Sequence, residues 1–353
     1  MTDTFKGWAA FGKEQPLVLT ELPLKIWDED DVEIQITDCG MCGSDIHNID
    51  SGWYPSHYPV VVGHEITGVV TRVGKNVTKV KVGDRAGLGP IAYACGGCEP
   101  CTTGISNLCD YGYVGTYNDF WPSGDKTYGG YADKWRGNKH FVVKIPDSIT
   151  NENACTFLCA GATVYAPLKR WNVGADSVVG ILGMGGLGHF AVMFAKALGS
   201  RVVVMSHNDK KRELAFELGA DEYINTSDEE QMKKNKRTLT HLLCTGNGRD
   251  FTWEAFIPTL KPNGVFINVN APEWVFPEYK QMLFLFGQYT IAASLAASPE
   301  DTEEMLEIVA EKNIKAWYKT YDMKDVNKAL DDFRAGKPRF RYVLKNQTIG
   351  FLV

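Results

Sequence analysis

The sequence lacks any long basic run and any excess of positive charge, since its 353 residues include 37 Lys and Arg against 43 Asp and Glu. A protein that binds nucleic acid presents a basic face to the phosphate backbone, so nucleic acid is not an expected partner. Residues 1–6 lack the basic and apolar segments of a secretory signal, which predicts a cytoplasmic protein.

An uninterrupted apolar segment of membrane-spanning length is also missing. Residues 177–199 come nearest, but a cluster of glycines interrupts them between Gly183 and Gly188. This pattern is typical of a turn between a buried strand and a buried helix, so we expect no membrane span. The length of 353 residues is instead enough for two globular domains.

Nine cysteines are present, an odd number that favours reduced thiols over a disulfide framework. Cys95, Cys98, Cys101 and Cys109 fall within fifteen residues, among Gly and Pro. Short gaps and a flexible backbone let four thiolates surround one ion, so this segment predicts a closed structural zinc site without an open position for chemistry. Four unrelated buried cysteines are the less favoured alternative, because a loop has little interior.

A second set of ligand-type residues is spread along the chain. Cys42 follows an alternating strand pattern, His64 and Glu65 follow an apolar run, and Cys159 lies in an apolar segment. Each residue alone is consistent with core packing. Together Cys42, His64 and Cys159 make the three-ligand set of a catalytic zinc, which leaves a fourth position for water or substrate.

Three polar residues follow Cys42 closely. Asp45 is near enough in sequence to accept the ring N–H of His64 and so fix its tautomer, or equally to form an Asx turn or a helix cap. Ser44 and His47 form a candidate hydroxyl-to-imidazole path for a proton, or alternatively a solvent-facing pair at a helix start.

A glycine-rich segment matches G-x-G-x-x-G between an apolar strand pattern at residues 177–182 and a segment of helical composition. In this context the motif is a dinucleotide fingerprint, with a tight turn, a close approach of backbone to pyrophosphate and a helix N-terminus for the anion. The residues that we expect at the cofactor are Gly183, Gly185, Gly186, Leu187 and Gly188.

The end of the next strand, residues 201–206, indicates which dinucleotide binds. NAD-binding proteins place a carboxylate there, whereas this chain has Ser206 followed by His207 and several cations. A small hydroxyl beside cations suits a 2′-phosphate, so NADP(H) is the expected cofactor and Lys211 the expected phosphate partner. Asp209 complicates this preference unless its carboxylate points outward.

Strand and helix patterns alternate from about residue 150 to 290, which predicts one doubly wound parallel-sheet domain. Short strands punctuated by Gly and Pro precede it and are more consistent with an irregular β-barrel. We therefore expect an α/β chain of three parts. These are a zinc-binding, barrel-like catalytic domain at 1–154, a nucleotide-binding Rossmann domain at 155–295 and a C-terminal return to the catalytic domain at 296–353.

The two zinc clusters, the barrel and the nucleotide domain together resemble the zinc-containing medium-chain alcohol dehydrogenases, and within them the cinnamyl alcohol dehydrogenase branch. The segments that carry this resemblance extend over nearly the whole chain. They are residues 7–10, 63–65, the four-cysteine loop, 129–133, 159–165 and 339–342. The resemblance implies a GroES-like barrel joined to the Rossmann domain.

The resemblance also implies roles for the residues named above. The three dispersed ligands bind the catalytic zinc, with Glu65 as an alternate ligand that can replace water. Ser44 and His47 relay a proton through the nicotinamide ribose, and the enzyme is a homodimer joined through its nucleotide domains. Two zinc ions per chain and NADP(H) are the expected cofactors.

The chain departs from the family pattern at positions that bear on the substrate. Ser44 stands in a Gly-Ser pair where many members of this branch carry His-Thr, and serine keeps the relay hydroxyl. Lignin-pathway enzymes carry a tryptophan in the segment that corresponds to residues 113–116, which argues against a monolignol substrate here. Aromatic side chains still predict an apolar pocket, lined by Trp53, Tyr54, Tyr93, Tyr117 and Trp121.

The expected reaction is hydride transfer between NADP(H) and an aromatic or medium-chain aldehyde or primary alcohol, with zinc polarising the carbonyl. A second hypothesis keeps the fold but reduces a carbon–carbon double bond or an iminium with only a structural zinc. The intact ligand and relay set weighs against it. A third hypothesis is a zinc-braced scaffold that binds nucleotide or nucleic acid, and the net charge of −6 weighs against that.

Overall fold

The computed structural model describes residues 3–246, 248, 251–272, 275–337 and 339–346. The chain forms two compact units, the first made of Met1–Ala162 with Ala296–Val353, the second of Thr163–Leu295. The sequence predicts the first boundary after residue 154, whereas the units divide after Ala162. The reason is that the intervening residues pack on the first unit, since Cys159 Sγ lies 3.9 Å from Cys42 Sγ and the Leu158 side chain lies against Gly87 of β5.

Seventeen strands are defined within the described residues. They are β1 (Thr4–Ala9), β2 (Val18–Pro23), β3 (Asp31–Met41), β4 (Glu65–Val73), β5 (Arg85–Leu88), β6 (Ile91–Tyr93), β7 (Val114–Gly115), β8 (Lys134–Asn138), β9 (Val143–Lys144), β10 (Val178–Leu182), β11 (Arg201–Ser206), β12 (Glu222–Asn225), β13 (Leu239–Cys244), β14 (Leu260–Asn268), β15 (Thr290–Ala293), β16 (Tyr318–Asp322) and β17 (Arg341–Lys345).

The helices are short, and none of those described combines the length and apolar character needed to cross a membrane. They are α1 (Gly43–Ile49), α2 (Glu99–Thr102), α3 (Asn151–Thr156), α4 (Ala162–Arg170), α5 (Gly188–Ala197), α6 (Arg212–Glu217), α7 (Glu229–Lys234), α8 (Trp253–Phe256), α9 (Gln281–Leu285), α10 (Pro299–Glu311) and α11 (Val326–Arg334). Single 3₁₀ turns occupy Ser106–Leu108, Lys139–Phe141, Asp209–Lys211, Ile257–Thr259 and Met323–Asp325, and a π-helical turn spans Phe157–Gly161.

The first unit is built around a sheet in which β3 is the central strand. Its strands follow the order β16-β17-β3-β4-β5-β9, and β8 also pairs with β3. The antiparallel pairing of β17 with β3 brings the C-terminal segment back to this unit. Apolar side chains such as Ile34, Ile66 and Leu88 are fully buried and form its core. The ends of β3 and β4 reach the candidate metal site.

The second unit is a six-stranded parallel sheet with the order β12-β11-β10-β13-β14-β15. Each neighbouring pair runs parallel, which requires a crossover connection between strands. Its central strands are apolar on both faces, as expected for a sheet covered on both sides by helices. The strand order, with its reversal beside β10, is that of a dinucleotide-binding sheet. The barrel-like unit and this sheet confirm the predicted fold class.

Candidate functional site

The first candidate ligand, Cys42, directly follows β3 and caps the N-terminus of α1. Its backbone N–H donates to Asp45 Oδ2 over 2.8 Å, which closes the first turn of the helix. The side chain of Cys42 is therefore presented at a rigid junction between a central strand and a helix, where its position is set by backbone geometry.

His64 and Glu65 lie where the chain enters β4. Gly63, immediately before them, has φ +99°, a conformation that favours glycine. Glu65 pairs with Gly40 of β3, and a Cβ built on Gly40 would lie 1.9 Å from Glu65 Oε2. Only glycine at position 40 leaves room for the Glu65 carboxylate on this face of the sheet.

Cys159 lies in the π-helical turn between α3 and α4. A π-helical turn adds a residue to the helix, disturbs the regular hydrogen-bond pattern and is frequent at functional sites. The Cys159 side chain is 8% exposed and reaches the same cluster as the ligands from β3 and β4. The sequence motif around Cys159 does not predict this helical irregularity.

The structure brings together one ligand atom from each of Cys42, His64, Glu65 and Cys159, all within 4.8 Å of one another. The two sulfurs are 3.9 Å apart, close to the edge of about 3.8 Å in a tetrahedron with zinc–sulfur bonds of about 2.3 Å. His64 Nε2 and Glu65 Oε2 are buried without a hydrogen-bond partner in the described chain. A buried ring nitrogen and a buried carboxylate oxygen without hydrogen-bond partners, beside two thiols, fit a bound cation.

The charges in this cluster are strongly coupled. The hydrogen bond between the two thiols lowers the pKa of Cys42 and raises that of Cys159. Burial opposes a charge on His64, but the adjacent Cys42 thiol and the surrounding acidic groups raise the pKa of His64 to about 9. The ligand atoms thus share protons that a divalent cation would displace.

Arg341 is a member of the site that the sequence analysis does not identify. It lies at the start of β17, is 4% exposed, and donates through Nη2 to Glu65 Oε1. Burial raises the pKa of Glu65 to about 8, although the charge of Arg341 acts in the opposite direction. A charged residue directly before the apolar run at 342–344 is the one sequence signal that could have identified it.

Of the two roles predicted for Asp45, an acceptor for the His64 ring or a helix cap, the contacts of its carboxylate are those of the cap. The carboxylate accepts from Cys42 N, from Gly63 N over 3.1 Å and from the hydroxyl of Tyr131 over 2.8 Å. Burial raises the pKa of Asp45, while the nearby charge of His64 lowers it. The structure has the alternative of a helix cap at Asp45, because its carboxylate accepts from the backbone N–H of Cys42, the N-cap residue of α1.

Ser44 and His47 both lie on α1. Ser44 Oγ donates to Cys42 Sγ over 3.6 Å, so its hydroxyl is next to the candidate metal ligands. The His47 ring stacks on Trp53 with centroids 4.4 Å apart and an interplanar angle of 18°. The structure therefore places the hydroxyl and the imidazole of the proposed relay on one helix, three residues apart.

Two of the predicted pocket aromatics contact this site. Tyr117 stacks on His64 with centroids 5.4 Å apart and nearly parallel rings, and Trp53 packs on His47. Tyr93 is half-buried in β6, and Tyr54 is 68% exposed.

Trp121 is not part of the same aromatic group. It packs against Trp135 with centroids 6.3 Å apart, and a Cβ on Gly137 would meet its ring. Gly137 pairs with Val32, at the opposite end of β3 from Cys42. Trp121 is therefore a core residue of the first unit, because the turn that carries it, closed by the bridge between Phe120 and Lys126, packs against β8.

The four-cysteine loop forms a second candidate metal centre. Cys95 Sγ lies 3.9 Å from Cys101 Sγ, and Cys98 Sγ lies 3.7 Å from Cys109 Sγ. All nine cysteines of the chain are free. The backbone N–H groups of Gly97 and Cys98 donate to Cys95 Sγ and lower the pKa of Cys95 to about 6. Four thiols at tetrahedral spacing fit one zinc ion.

The glycine-rich turn lies in the second unit, between β10 and α5. Gly183 has φ +89°, and a Cβ on Gly188 would lie 2.2 Å from the Gly183 carbonyl oxygen. A Cβ on Gly185 would meet no atom within 4 Å, so this face of the turn is open. Gly186 completes the turn, and Leu187 caps α5. The tight turn and the open face at a helix N-terminus fit a pyrophosphate.

The end of β11 carries the residues that are predicted to favour NADP(H) over NAD(H). Ser206 ends the strand, His207 is exposed beyond it, and Lys211 Nζ donates to the Met184 carbonyl oxygen of the glycine-rich turn over 2.7 Å. Asp209 accepts from Arg212 Nη2 over 2.6 Å and from Asn225 Nδ2 over 3.0 Å. Asp209 is thus engaged by neighbouring donors, and Lys211 lies beside the turn.

Comparisons with known proteins agree with this geometry. The family model for the alcohol dehydrogenase GroES-like domain matches residues 28–147, and the model for zinc-binding dehydrogenases matches residues 186–311. A probable cinnamyl alcohol dehydrogenase from Oryza sativa subsp. japonica is 38% identical over 348 residues, covering 97% of this chain and 96% of that protein.

Two solved structures are similar over nearly the whole chain. A cinnamyl alcohol dehydrogenase from Sorghum bicolor has a TM-score of 0.92 and 35% identity, covering 97% of this chain and 98% of its own. The enzyme named CAD from Helicobacter pylori, solved in complex with NADP(H), has a TM-score of 0.90 and 30% identity, and the match covers 99% of both chains.

Proposed function

The chain belongs to the zinc-binding alcohol dehydrogenases with a GroES-like domain, and on this basis we propose that it interconverts aldehydes and primary alcohols with NADP(H). The observation that carries the proposal is the dispersed cluster of Cys42, His64, Glu65 and Cys159, whose ligand atoms lie within 4.8 Å. Three ligands that leave a position for substrate are what a catalytic zinc needs.

The residues of the first unit supply the protein's part of the reaction. When bound, zinc polarises the aldehyde oxygen and NADPH supplies the hydride. Cys42, His64 and Cys159 hold the ion. Ser44 Oγ, next to Cys42 Sγ, donates the proton that the alcohol product requires, and His47 on the same helix restores it.

Glu65 and Arg341 complete the proposed metal site. The Arg341 guanidinium engages one oxygen of Glu65 and leaves Oε2 as a buried acceptor beside the ligands. We propose that this carboxylate is an alternate ligand that replaces water when no substrate is present. A carboxylate oxygen is an accepted zinc ligand, and Glu65 is held in the cluster by its partner from β17.

Reduction of a carbon–carbon double bond or an iminium with only a structural zinc is the less favoured function. It would leave the buried His64 Nε2 and the 3.9 Å pair of thiols without a role. The named relatives are alcohol dehydrogenases.

The experiment that tests the proposal combines metal analysis with a substrate panel. Purified protein should contain two zinc ions per chain, one in each cluster, and should oxidise NADPH only when an aldehyde is added. Aromatic and medium-chain aldehydes are the first substrates to test, because Tyr117 and Trp53 offer flat apolar surfaces beside the cluster. Aldehyde-dependent turnover by a protein that holds zinc only in the four-cysteine loop would contradict the assignment.

The cofactor preference gives a separate prediction. Lys211→Ala is expected to raise KM for NADPH about tenfold or more, because a charge-assisted hydrogen bond to the 2′-phosphate is lost. KM for NADH should change by less than about twofold, since NADH has no phosphate there. Lys210→Ala is the matched control, because Lys210 is exposed next to Lys211. Equal effects of Lys211→Ala on both cofactors would contradict a phosphate contact.

We further propose that the chain forms a homodimer through the second unit. In the described chain β15 pairs only with β14, so its outer edge offers unpaired backbone groups. Large apolar side chains are exposed nearby, including Ile291 at 43%, Leu285 at 59% and Phe286 at 76%. An apolar edge strand that pairs with its own copy forms a two-fold interface.

The dimer is tested by sedimentation. The full chain should sediment at twice its mass of 39.2 kDa. Phe286→Glu should shift the protein to the monomer, because a carboxylate would be buried in an apolar contact. Phe216→Glu, at a side chain that is 45% exposed on α6, should leave the dimer intact. A monomeric wild-type protein would overturn the proposal.

We also propose a cytoplasmic location. Both candidate metal centres need reduced thiols, and all nine cysteines are free in the structure. The cytoplasm keeps thiols reduced, whereas oxidising compartments favour disulfides.

A further inference from the structure

Tyr131 is one of the largest fully buried side chains of the first unit, and its hydroxyl does not face solvent. The hydroxyl donates to Asp45 Oδ2 over 2.8 Å. A tyrosine buried for packing alone gains nothing from a polar tip, which is costly to bury without a partner. The partner of Tyr131 is a carboxylate that is itself fully buried, so the contact joins two groups that cannot find water.

Asp45 connects the two segments that supply the ligands. Oδ2 accepts from Cys42 N over 2.8 Å, and Oδ1 accepts from Gly63 N over 3.1 Å. Cys42 is a candidate ligand, and Gly63 directly precedes the ligand His64. One carboxylate therefore bonds both to the residue that follows β3 and to the residue that precedes His64.

Tyr131 also holds the His64 segment directly. Its backbone N–H donates to the Val62 carbonyl oxygen over 2.9 Å. Its ring lies against Gly63, where a Cβ would come within 2.5 Å of Tyr131 Cδ1. The ring therefore fixes the segment from one side while the hydroxyl fixes Asp45 from another.

On this geometry, and resting on the ligand set of the proposed function, we propose that Tyr131 is a positioning residue for the dispersed metal cluster. Its hydroxyl orients the Asp45 carboxylate, which in turn holds Cys42 and the segment of His64 at metal-binding distance. Outer partners that orient ligands typically contribute about 10- to 100-fold to metal affinity. Loss of the Tyr131 hydroxyl leaves the ring and its packing in place but removes one of the hydrogen bonds that orient the Asp45 carboxylate.

Tyr117 provides a matched control. Tyr117 is also a buried tyrosine next to the dispersed cluster, and its ring stacks on His64. Its hydroxyl makes no hydrogen bond within the part of the chain that the structure describes, although burial and the nearby Asp45 carboxylate raise the pKa of Tyr117. Tyr117→Phe therefore removes an oxygen without removing a hydrogen bond, while Tyr131→Phe removes both.

The test is zinc competition with a colorimetric chelator on the full-length zinc-loaded protein. Tyr131→Phe should weaken zinc binding at the dispersed cluster about tenfold, while Tyr117→Phe should change it by less than about twofold. Neither variant should change binding at the four-cysteine loop. The two zinc pools are identified with Cys42→Ser and Cys101→Ser proteins, each of which lacks one pool.

A double variant tests whether Tyr131 acts through Asp45. Asp45→Ala should weaken the same zinc pool, because it removes the carboxylate that accepts from Cys42 N, Gly63 N and the Tyr131 hydroxyl. Tyr131→Phe combined with Asp45→Ala should bind zinc no more weakly than Asp45→Ala alone, because the Tyr131 hydroxyl has no carboxylate to orient once Asp45 is removed. Additive effects would overturn the proposal.

Other outcomes are equally decisive. Unchanged zinc affinity in Tyr131→Phe, or equal losses in Tyr131→Phe and Tyr117→Phe, would overturn the positioning role and leave the proposed function standing. A thermal midpoint that falls equally in the metal-free and the zinc-loaded Tyr131→Phe protein would show a merely structural role and overturn it too. A wild-type protein without zinc at the dispersed cluster would overturn both proposals.

Discussion

His64→Ala is expected to lower aldehyde turnover by at least about a thousandfold and to leave NADPH binding unchanged. The variant removes one of three proposed ligands, and a bound metal contributes several kcal/mol of transition-state stabilisation. Each 1.36 kcal/mol is tenfold in rate, so a loss of about 4 kcal/mol gives this factor. Steady-state kinetics measure turnover, and quenching of protein fluorescence measures NADPH binding.

The control for this experiment is another histidine of the same unit. His57→Ala removes an exposed imidazole that contacts Phe120 and is not a member of the ligand cluster. Its turnover should stay within about twofold of the wild type. Near-normal turnover in His64→Ala, with the zinc content of the dispersed cluster reduced, would show that the metal is not needed for the chemistry.

Cys101→Ser should remove the zinc of the four-cysteine loop and lower the thermal midpoint of the protein by about 5 °C or more. The loop has little core of its own, because Cys101 and Cys109 are themselves part of a small buried group with Ile91, Ala94 and Phe141. A structural zinc contributes folding free energy directly, and its loss is among the few single changes that cost about 4 kcal/mol or more. Calorimetry and metal analysis on the same sample measure both effects.

Cys155→Ser is the matched control for the loop. Cys155 is a buried cysteine of the same unit that belongs to neither cluster, and its Sγ donates to the Glu152 carbonyl oxygen. Serine retains a donor at this position, so only a small shift of the midpoint and no loss of zinc are expected. A Cys101→Ser protein that keeps two zinc ions and the wild-type midpoint would rule out a structural metal in the loop.

The features that could be predicted from sequence are those whose residues are neighbours along the chain. The turn from Gly183 to Gly188 needs only a strand before it and a helix after it, and the local apolar pattern predicts both. The four-cysteine loop is similar, since its thiols are separated by a few residues and can reach one ion whatever the rest of the fold does. The fold class followed from the same alternation of patterns.

The dispersed cluster could be predicted only as a set of residue types. Spacing alone left Asp45 with two equally acceptable roles. In the structure its carboxylate caps α1 through Cys42 N and also accepts from Gly63 and Tyr131, which lie in distant segments. Trp121 also shows that residue type alone does not determine where a side chain lies. An aromatic side chain suits an apolar pocket, but the ring of Trp121 packs against Trp135 in the core.

The sequence by itself therefore determined the two-unit α/β architecture, the four-cysteine loop and the dinucleotide turn, because each depends on local pattern and short spacing. Only the tertiary structure decided that Arg341 engages Glu65, that Tyr131 holds Asp45, and that Gly40 leaves room for Glu65. Arg341 and Glu65 are 276 residues apart in the chain, and Tyr131 and Asp45 are 86 apart. Contacts over such separations arise from the pairing of β3 with β4 and β17, which no short stretch of sequence encodes.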